Sequence, residues 1–345
     1  MSITTTNVPL TLAEALDPAW LTFALTPLTG GAPITAVETV EIIRTVATKL
    51  RFTVAYDGGK AALCLKALLD VDPQMARGGA VTVLEADFYE KLAPRLSIRC
   101  PPCVATVIDR EAQFGIVIMR DLIAAGNRFC SALEPFSADE AAESLAQLAL
   151  LHEASNLLDE LPWVKPRIGD FVRNSYVPQP LLQEMLNGAR GEGLSTRTRD
   201  AGLLLKALEA LAARDAAWPH FLVHGDSHAG NIYRTPEGPG LIDWQLLQRG
   251  GWALDAAYHI AAVLPVALAE REERRLLLHY LETMRGLGMD MPGEEEAWAA
   301  YRIALVYGYY LWAITRRVDP PITNLFVNRL GSAVERHGSF GLLGV

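Results

Sequence analysis

The run His224-Gly225-Asp226-Ser227-His228-Ala229-Gly230-Asn231, followed by Leu241-Ile242-Asp243-Trp244-Gln245, decides how this chain of 345 residues is read. An aspartate with an asparagine five positions on, Asp226 to Asn231, has the D-x-x-x-x-N spacing of a phosphoryl-transfer loop. In such a loop the carboxylate takes a hydroxyl proton and the amide binds metal. Asp243, at the end of the next hairpin strand, supplies the carboxylate that holds Mg²⁺ in this kind of chemistry. The work there is positioning and charge neutralisation, so it requires a base, hard oxygen ligands and a cation on the phosphates.

Outward from that stretch, the N-terminal third reads as strands. Leu50, Phe52, Val54 and Tyr56 alternate with Arg51, Thr53 and Ala55, the period of a half-buried strand. Asp57-Gly58-Gly59 turns the chain back through Ala61 to Leu65, giving a hairpin that ends at Lys66. Val37 to Arg44 is expected as an earlier strand, Leu84 to Leu92 as a helix, and Val104 to Ile108 with Phe114 to Met119 as a second hairpin. From Leu122 the pattern is helical. Ser137-Ala138-Asp139-Glu140 reads as a capping box with Ala141, Leu145, Leu148 and His152 behind it. Pro162 to Gly193 reads as an irregular excursion with one short helix, and Ser195 to Arg214 as an amphipathic helix. Phe221 to Val223 is a short strand, Ile232–Tyr233 with Leu241–Ile242 a hairpin, and three helices are expected from about Leu254 to the end.

Composition narrows the function. Lys and Arg number 31 against 40 Asp and Glu, a net charge of −9 that repels a phosphate backbone or an anionic membrane surface. Neither nucleic acid nor a membrane is an expected partner. Val8 to Leu25 is broken by Glu14, Asp17 and prolines, and the apolar stretch Ile303 to Thr315 is shorter than a spanning helix requires, so a cytoplasmic protein is expected. Four cysteines do not make a disulfide framework in a chain of this length. Cys100-Pro101-Pro102-Cys103 matches C-x-x-C, but two prolines lie between the thiols and no second pair completes a zinc site, so it reads as a connecting loop.

At the motif level the chain resembles the aminoglycoside phosphotransferase and choline kinase-like small-molecule kinases. HGDSHAGN is similar to their H-G-D-x-H-x-x-N loop and LIDWQ to their metal-binding I-D-W segment. The continuation through Arg249-Gly250-Gly251-Trp252 to Asp255 is most similar to the bacterial relatives of the ecdysteroid kinase-like group. The resemblance implies an α+β, protein-kinase-like bilobal fold. Residues 1–121 would form a nucleotide-binding lobe with an antiparallel sheet, and residues 122–345 a larger, mainly helical lobe for catalysis and acceptor binding. It implies ATP and Mg²⁺, with Asp226 as base, Asn231 and Asp243 as metal ligands and Asp255 beneath the loop. Lys66 resembles the strand lysine that grips the α- and β-phosphates, and Glu85 the helix glutamate that pairs with it, with Asp87 and Glu90 competing for that role. Met119-Arg120-Asp121-Leu122 is similar to the hinge whose backbone meets adenine. Where the family often has a glycine-bearing loop over the phosphates, this chain has Thr45-Val46-Ala47-Thr48-Lys49. Thr45, Thr48 and Lys49 would then replace backbone cradling with hydroxyls and charge.

The expected activity is phosphoryl transfer from ATP to the hydroxyl of a small molecule. Trp298, Tyr301, Tyr307, Tyr309, Tyr310 and Trp312 near helical spacing are core by default, but their number leads to the expectation that some wall the pocket of an apolar alcohol. An aminoglycoside-type antibiotic phosphotransferase is the alternative within this class. A metallophosphoesterase shares the G-D-x-H segment but needs an early D-x-H and later paired histidines, which the seven histidines do not supply. A non-catalytic kinase-like nucleotide-binding protein would have lost Asp226, Asn231 or Asp243, and none is lost. His224, His228 and His152 read more simply as braces of loop or core than as metal ligands.

Overall fold

The computed structural model describes residues 8–44, 47–71, 79–174 and 176–345. They form two compact units. The first holds the chain up to Arg128 together with Ile242–Gln245, and the second holds Phe129–Leu241 and Leu246–Val345. The division expected after Asp121 thus falls after Arg128, and the short segment Ile242–Gln245 packs with the N-terminal unit.

In the first unit, alternation writes the sheet. Strands β1 (Ile34–Arg44), β2 (Thr48–Tyr56), β3 (Gly59–Ala67), β4 (Cys103–Asp109) and β5 (Phe114–Arg120) pair antiparallel in the order β1-β2-β3-β5-β4. Leu50, Phe52 and Val54 of β2 lie on one face with Leu63 and Leu65 of β3 and Ile116 and Ile118 of β5, packed against Leu21 and Leu25 of the N-terminal helical turns. Each such side chain contributes ~1.5–3 kcal/mol by leaving water. The other face carries Lys49 opposite Lys66 and Arg51 opposite Cys64. Helix α1 (Gly79–Asp87) crosses β5 so closely that a Cβ at Gly115 would stand 2.4 Å from the carbonyl oxygen of Thr82. The Thr82 hydroxyl accepts from the Gly115 N–H at 2.9 Å, fixing the helix on the strand. The expected helix over 84–92 is therefore already formed at Gly79, the first described residue of this segment. After Asp87 it opens into a wider π-type turn, Phe88–Leu92, which buries Phe88, Tyr89 and Leu92 together.

The second unit is helical around one apolar rod. Helix α2 (Ala138–Glu153) opens with the expected box: Ser137 Oγ accepts from the Glu140 N–H and Glu140 Oε2 from the Ser137 N–H. Helix α3 (Ala201–Asp215) starts later than the expected Ser195, because Asp200 is its N-cap and Ser195 and Thr198 spend their hydroxyls on a preceding turn. The excursion before it holds two helices, Ile168–Asn174 and Gln179–Asn187, rather than one. Strand β6 (Phe221–Val223), the hairpin β7 (Ile232–Thr235) and β8 (Gly238–Leu241), and β9 (Gln248–Gly250), which pairs with β6, frame the loops. Beyond them run α4 (Ala253–Val263), α5 (Val266–Gly286), α6 (Glu294–Ile314), α7 (Pro320–His337) and a final turn, Ser339–Leu342, where three helices were expected. Every residue of α4 is buried, so this helix is the centre around which the unit packs. Among the described residues no helix is long and apolar enough to cross a membrane.

Glu273 of α5 ties the C-terminal helices. It meets Arg336 Nη2 at 2.6 Å and His337 Nε2 at 2.9 Å, both at the end of α7, and accepts from the Tyr301 hydroxyl of α6 at 3.3 Å. Burial works against the carboxylate, yet His337 and Arg336 hold its pKa below the ordinary value. A depressed carboxylate stabilises above its unfolded pKa and loses that stability as pH falls through the folded value. Glu273→Gln is therefore expected to cost about 1–3 kcal/mol at neutral pH, with the deficit narrowing in acid. Thermal melts of both proteins between neutral and acid pH check this, and a deficit that grows as pH falls would contradict it.

Candidate active site

Lys66 lies near the end of β3 and is almost wholly buried. Its ammonium meets Glu85 of α1 at 2.8 Å and Asp243 at 2.9 Å. Glu85 Oε1 also accepts the Trp244 N–H at 3.2 Å, and the Trp244 ring stacks on Phe88 with centroids 3.8 Å apart. These contacts are why Ile242–Gln245 belongs to the first unit. Burial opposes the ammonium, but Asp243 and Glu85 hold the Lys66 pKa above its usual value, while burial raises that of Glu85. Asp243 adopts φ +67°, a left-handed backbone that a non-glycine residue takes only when its surroundings impose it. Of the three competing acids, Glu85 takes Lys66. Asp87 is engaged by Arg110 and Lys91, and Glu90 lies 4.0 Å from Arg110 and half exposed.

Lys49 sits opposite Lys66 in the β2–β3 register, and burial, together with the neighbouring ammonium, pushes its pKa down. Among the described residues it makes no ion pair. Thr48 is a correction: it points to the opposite face, and its buried hydroxyl donates to the Leu69 carbonyl at 3.1 Å, so it does not face phosphates with Lys49. Thr45 lies outside the described residues. Of the segment expected to meet adenine, the N–H groups of Arg120 and Asp121 already donate to the Pro102 and Ala62 carbonyls, and the Leu122 carbonyl accepts from the Asn127 N–H. The Asp121 carboxylate pairs with Arg51 at 3.0 Å and accepts from the Ile123 and Ala124 N–H groups. Met119 continues β5 between Cys64 and Cys103.

In the second unit, β6 delivers the loop that starts at His224. Asp255, the third residue of α4, is fully buried and accepts from the His224 N–H at 2.6 Å and the Gly225 N–H at 2.9 Å. His152 Nε2 stands 3.1 Å from the same carboxylate, and His152 Nδ1 is 2.6 Å from the Tyr280 hydroxyl. Burial would raise the Asp255 pKa, but His152 and the Gly225 N–H hold it below the ordinary value. From above, the Tyr307 hydroxyl donates to the Gly225 carbonyl at 2.8 Å. His224 and His228 act within the loop as backbone braces, each accepting through Nδ1, from the N–H groups of Asp226 and Gly230. Burial pushes His259 down to about 4, so it is neutral; its Nδ1–H donates to the Ser227 carbonyl and its Nε2 lies 2.9 Å from the Ser144 hydroxyl.

Asp226 emerges from this frame with its side chain 26% exposed, enough to be reached by solute. Asn231 Nδ2 donates to its Oδ2 at 3.0 Å and to its carbonyl at 2.8 Å, and the Tyr258 hydroxyl donates to its Oδ1 at 3.0 Å. Sequence reasoning did not name Tyr258, though its place three residues after Asp255 puts both on one face of α4.

The aromatic stripe of α6 is a correction. Tyr301, Tyr307, Tyr309 and Tyr310 are buried, and their hydroxyls are spent on Glu273, the Gly225 carbonyl, the Thr198 carbonyl and the Phe171 carbonyl. Trp312 donates to Tyr258. These side chains are core and loop supports rather than a pocket wall, which removes the basis for expecting an apolar acceptor. Cys100 and Cys103 are free, the first half-buried and the second exposed, and desolvation of the sulfur atoms pushes both thiols above the ordinary value.

The profile of the phosphotransferase enzyme family (APH) matches residues 66–290, from Lys66 to beyond the loop that starts at His224, and the chain belongs to that family. A methylthioribose kinase of Bacillus cereus is 30% identical over 90 residues, a stretch covering 22% of this chain and 23% of that protein. The match thus spans about a quarter of the length of that relative. An ethanolamine kinase of Plasmodium vivax superposes with a TM-score of 0.50 at 15% identity, over 88% of this chain and 81% of its own. A choline kinase of Cryptosporidium parvum superposes with a TM-score of 0.51 at 12% identity, over 89% and 88%. At such identities the likeness establishes the protein-kinase-like, α+β fold.

The loop geometry leaves no room at Gly225, whose φ is +81° and where a Cβ would stand 2.3 Å from the Leu246 carbonyl oxygen. Gly225→Ala is expected to cost about 2–5 kcal/mol, the sum of left-handed strain and a steric clash. Chemical denaturation measures the loss, and a variant as stable as the parent would show that the loop is not so confined.

Proposed function

We propose that this chain is an ATP-dependent kinase that transfers the γ-phosphoryl group to a hydroxyl of a small-molecule acceptor. The observation that carries this reading is Asp226: a reachable carboxylate oriented by Asn231 and Tyr258 on a loop whose backbone is clamped by Asp255. Lys66, held ready by Glu85, would grip the α- and β-phosphates. As the acceptor oxygen attacks the γ-phosphorus, its proton passes to Asp226, the new O–P bond forms, and the bond to the departing ADP oxygen breaks. The residues suit Mg²⁺, because the amide nitrogen of Asn231 is committed to Asp226, leaving its oxygen as the ligand atom, and Asp243 offers a carboxylate. Bound there, the cation would neutralise phosphate charge. Retention of all these groups supports an enzyme over a non-catalytic nucleotide binder, and free cysteines suit a cytoplasmic setting where ATP is supplied.

Support for the kinase reading also comes from relatives described as kinases, including an amicoumacin kinase solved with AMP-PNP and Ca²⁺. For the acceptor, acids of the C-terminal helices are paired at the surface, Glu294 and Glu295 with Arg274 and Glu272 with Arg275. This disfavours the polycationic, aminoglycoside-type alternative. The direct test is ATP consumption by the purified protein against a panel of amino alcohols, sugars, aminoglycosides and apolar alcohols; no stimulation by any of them would overturn the reading.

Asp226→Asn is expected to keep ATP affinity while turnover falls ~10²–10⁴-fold. Calorimetry and the same assay measure the two quantities, and parental turnover would remove Asp226 from the role of base. Lys49, a half-buried cation without a carboxylate partner among the described residues, is expected to meet phosphate. Lys49→Ala should weaken ATP about 10-fold or more and leave adenosine within about twofold, the difference being one charge-assisted contact. Equal losses for both ligands would assign Lys49 to folding instead.

A further inference from the structure

We infer that Tyr258 and Trp312 form a one-way hydrogen-bond chain that fixes the orientation of Asp226, so that Tyr258 is a positioning residue for the base of the proposed transfer. The inference rests on the kinase reading and adds to it a specific device. Trp312 Nε1 lies 2.6 Å from the Tyr258 hydroxyl, which lies 3.0 Å from Asp226 Oδ1. An indole N–H only donates. The Tyr258 oxygen must therefore accept from Trp312, and its single proton has Asp226 as its partner. Burial, followed by the neighbouring Asp226 charge, holds the phenol far above its ordinary pKa, so that proton stays in place.

The chain is anchored at its far end. Trp312 stacks on Phe326 of α7 with centroids 4.1 Å apart, and His228 meets both rings edge-on at 5.0 and 5.2 Å. Tyr258 itself is fully buried in α4. At the near end, Asp226 takes Tyr258 on one oxygen and Asn231 on the other, and two donors on opposite oxygens define the plane of a carboxylate. A competitor waits beside it. His228 Nδ1 accepts from the Gly230 N–H, which leaves its Nε2 to carry the proton, and Nε2 is 3.5 Å from Asp226 Oδ2. Without the Tyr258 hydroxyl, the carboxylate is free to turn toward His228 and away from an incoming alcohol. Misplacement of a reacting group by about 1 Å is enough to cost ~10²-fold in rate.

The test uses the full chain with two readouts. Tyr258→Phe keeps the ring and deletes the hydroxyl, and is expected to lower kcat ~10–100-fold with the acceptor found in the panel, while the ATP KM stays within about twofold. Trp312→Phe should lower kcat by a smaller factor and have no further effect in the Tyr258→Phe background. The second readout needs no turnover: the chain has seven tryptophans, so the indole N–H spectrum of the protein is small enough to assign Trp312 by its loss in Trp312→Phe. That signal should move in Tyr258→Phe and also in Asp226→Asn, because the carboxylate polarises the phenol that accepts from the indole. A Trp312 signal indifferent to Asp226→Asn, an unchanged kcat in Tyr258→Phe, or fully additive losses in the double variant would each overturn the inference. Wild-type protein whose ATP consumption no acceptor in the panel stimulates would defeat the kinase reading instead, and the spectrum then decides the chain alone.

Discussion

The buried carboxylate of Asp255 is the constraint on which the second unit's site depends. A carboxylate taken out of water costs several kcal/mol unless its oxygens are satisfied. Here the partners include the first two N–H groups after β6, those of His224 and Gly225, and the imidazole of His152. Meeting the needs of Asp255 therefore dictates where the backbone goes as it leaves the strand, and Gly225 takes its left-handed turn because nothing larger fits against the Leu246 carbonyl. The next residue is Asp226. The placement of the proposed base is thus a by-product of solvating a buried acid with main-chain donors, and the fully buried helix α4 supplies both that acid and, one turn on, the phenol that orients the base.

A comparable economy of charge holds in the first unit. Lys66 and Lys49 face each other across β2 and β3, which would be unfavourable in isolation, while Glu85 and Asp243 close on Lys66. Two ammonium groups and two carboxylates leave the cluster formally neutral, yet the pairing is uneven, since both acids serve the same lysine. Burial lowers the pKa of Lys49 while the carboxylates raise that of Lys66. An anion arriving at this face would first relieve Lys49, which has no carboxylate partner among the described residues. That asymmetry is the feature on which the proposed phosphate role of Lys49 rests, in a chain without glycines in its β1–β2 connection.

The sheet was legible because half-burial imposes a period of two on β2 and on the middle of β3, where polar and apolar positions alternate, whereas β5 is apolar up to Arg120 and is marked as a strand only by its length and its flanking turn. The Lys66 partner was less so: Glu85, Asp87 and Glu90 are all acids on one short segment, and only three-dimensional placement of Arg110 and Lys91 takes Asp87 out of contention. Thr48 was misread for a related reason, since its neighbour Lys49 points the other way along the same strand. The membership of Ile242–Gln245 in the first unit could not be read at all. It follows from contacts between residues far apart in sequence, Trp244 with Phe88 and Glu85, for which periodicity gives no signal.

The aromatic helix α6 shows why composition misled on the acceptor. Six aromatics in one helix exceed what an apolar stripe requires, and a pocket wall is one way to use the surplus. A buried tyrosine, however, brings a hydroxyl that must find a partner, and here each finds one in a structural element: Tyr307 on the catalytic-loop carbonyl of Gly225, Tyr309 on Thr198, Tyr301 on Glu273. The choice of tyrosine over phenylalanine at these positions therefore reads as anchoring, with each ring filling the core and each hydroxyl pinning a loop or helix that would otherwise be free to shift. Tyr307 and Trp312 anchor the loop that carries Asp226, one directly and one through Tyr258. Side chains buried and already committed to holding the core and this loop in place are poorly suited to reading a substrate, so the proposed acceptor is better sought against other surfaces than against these tyrosines.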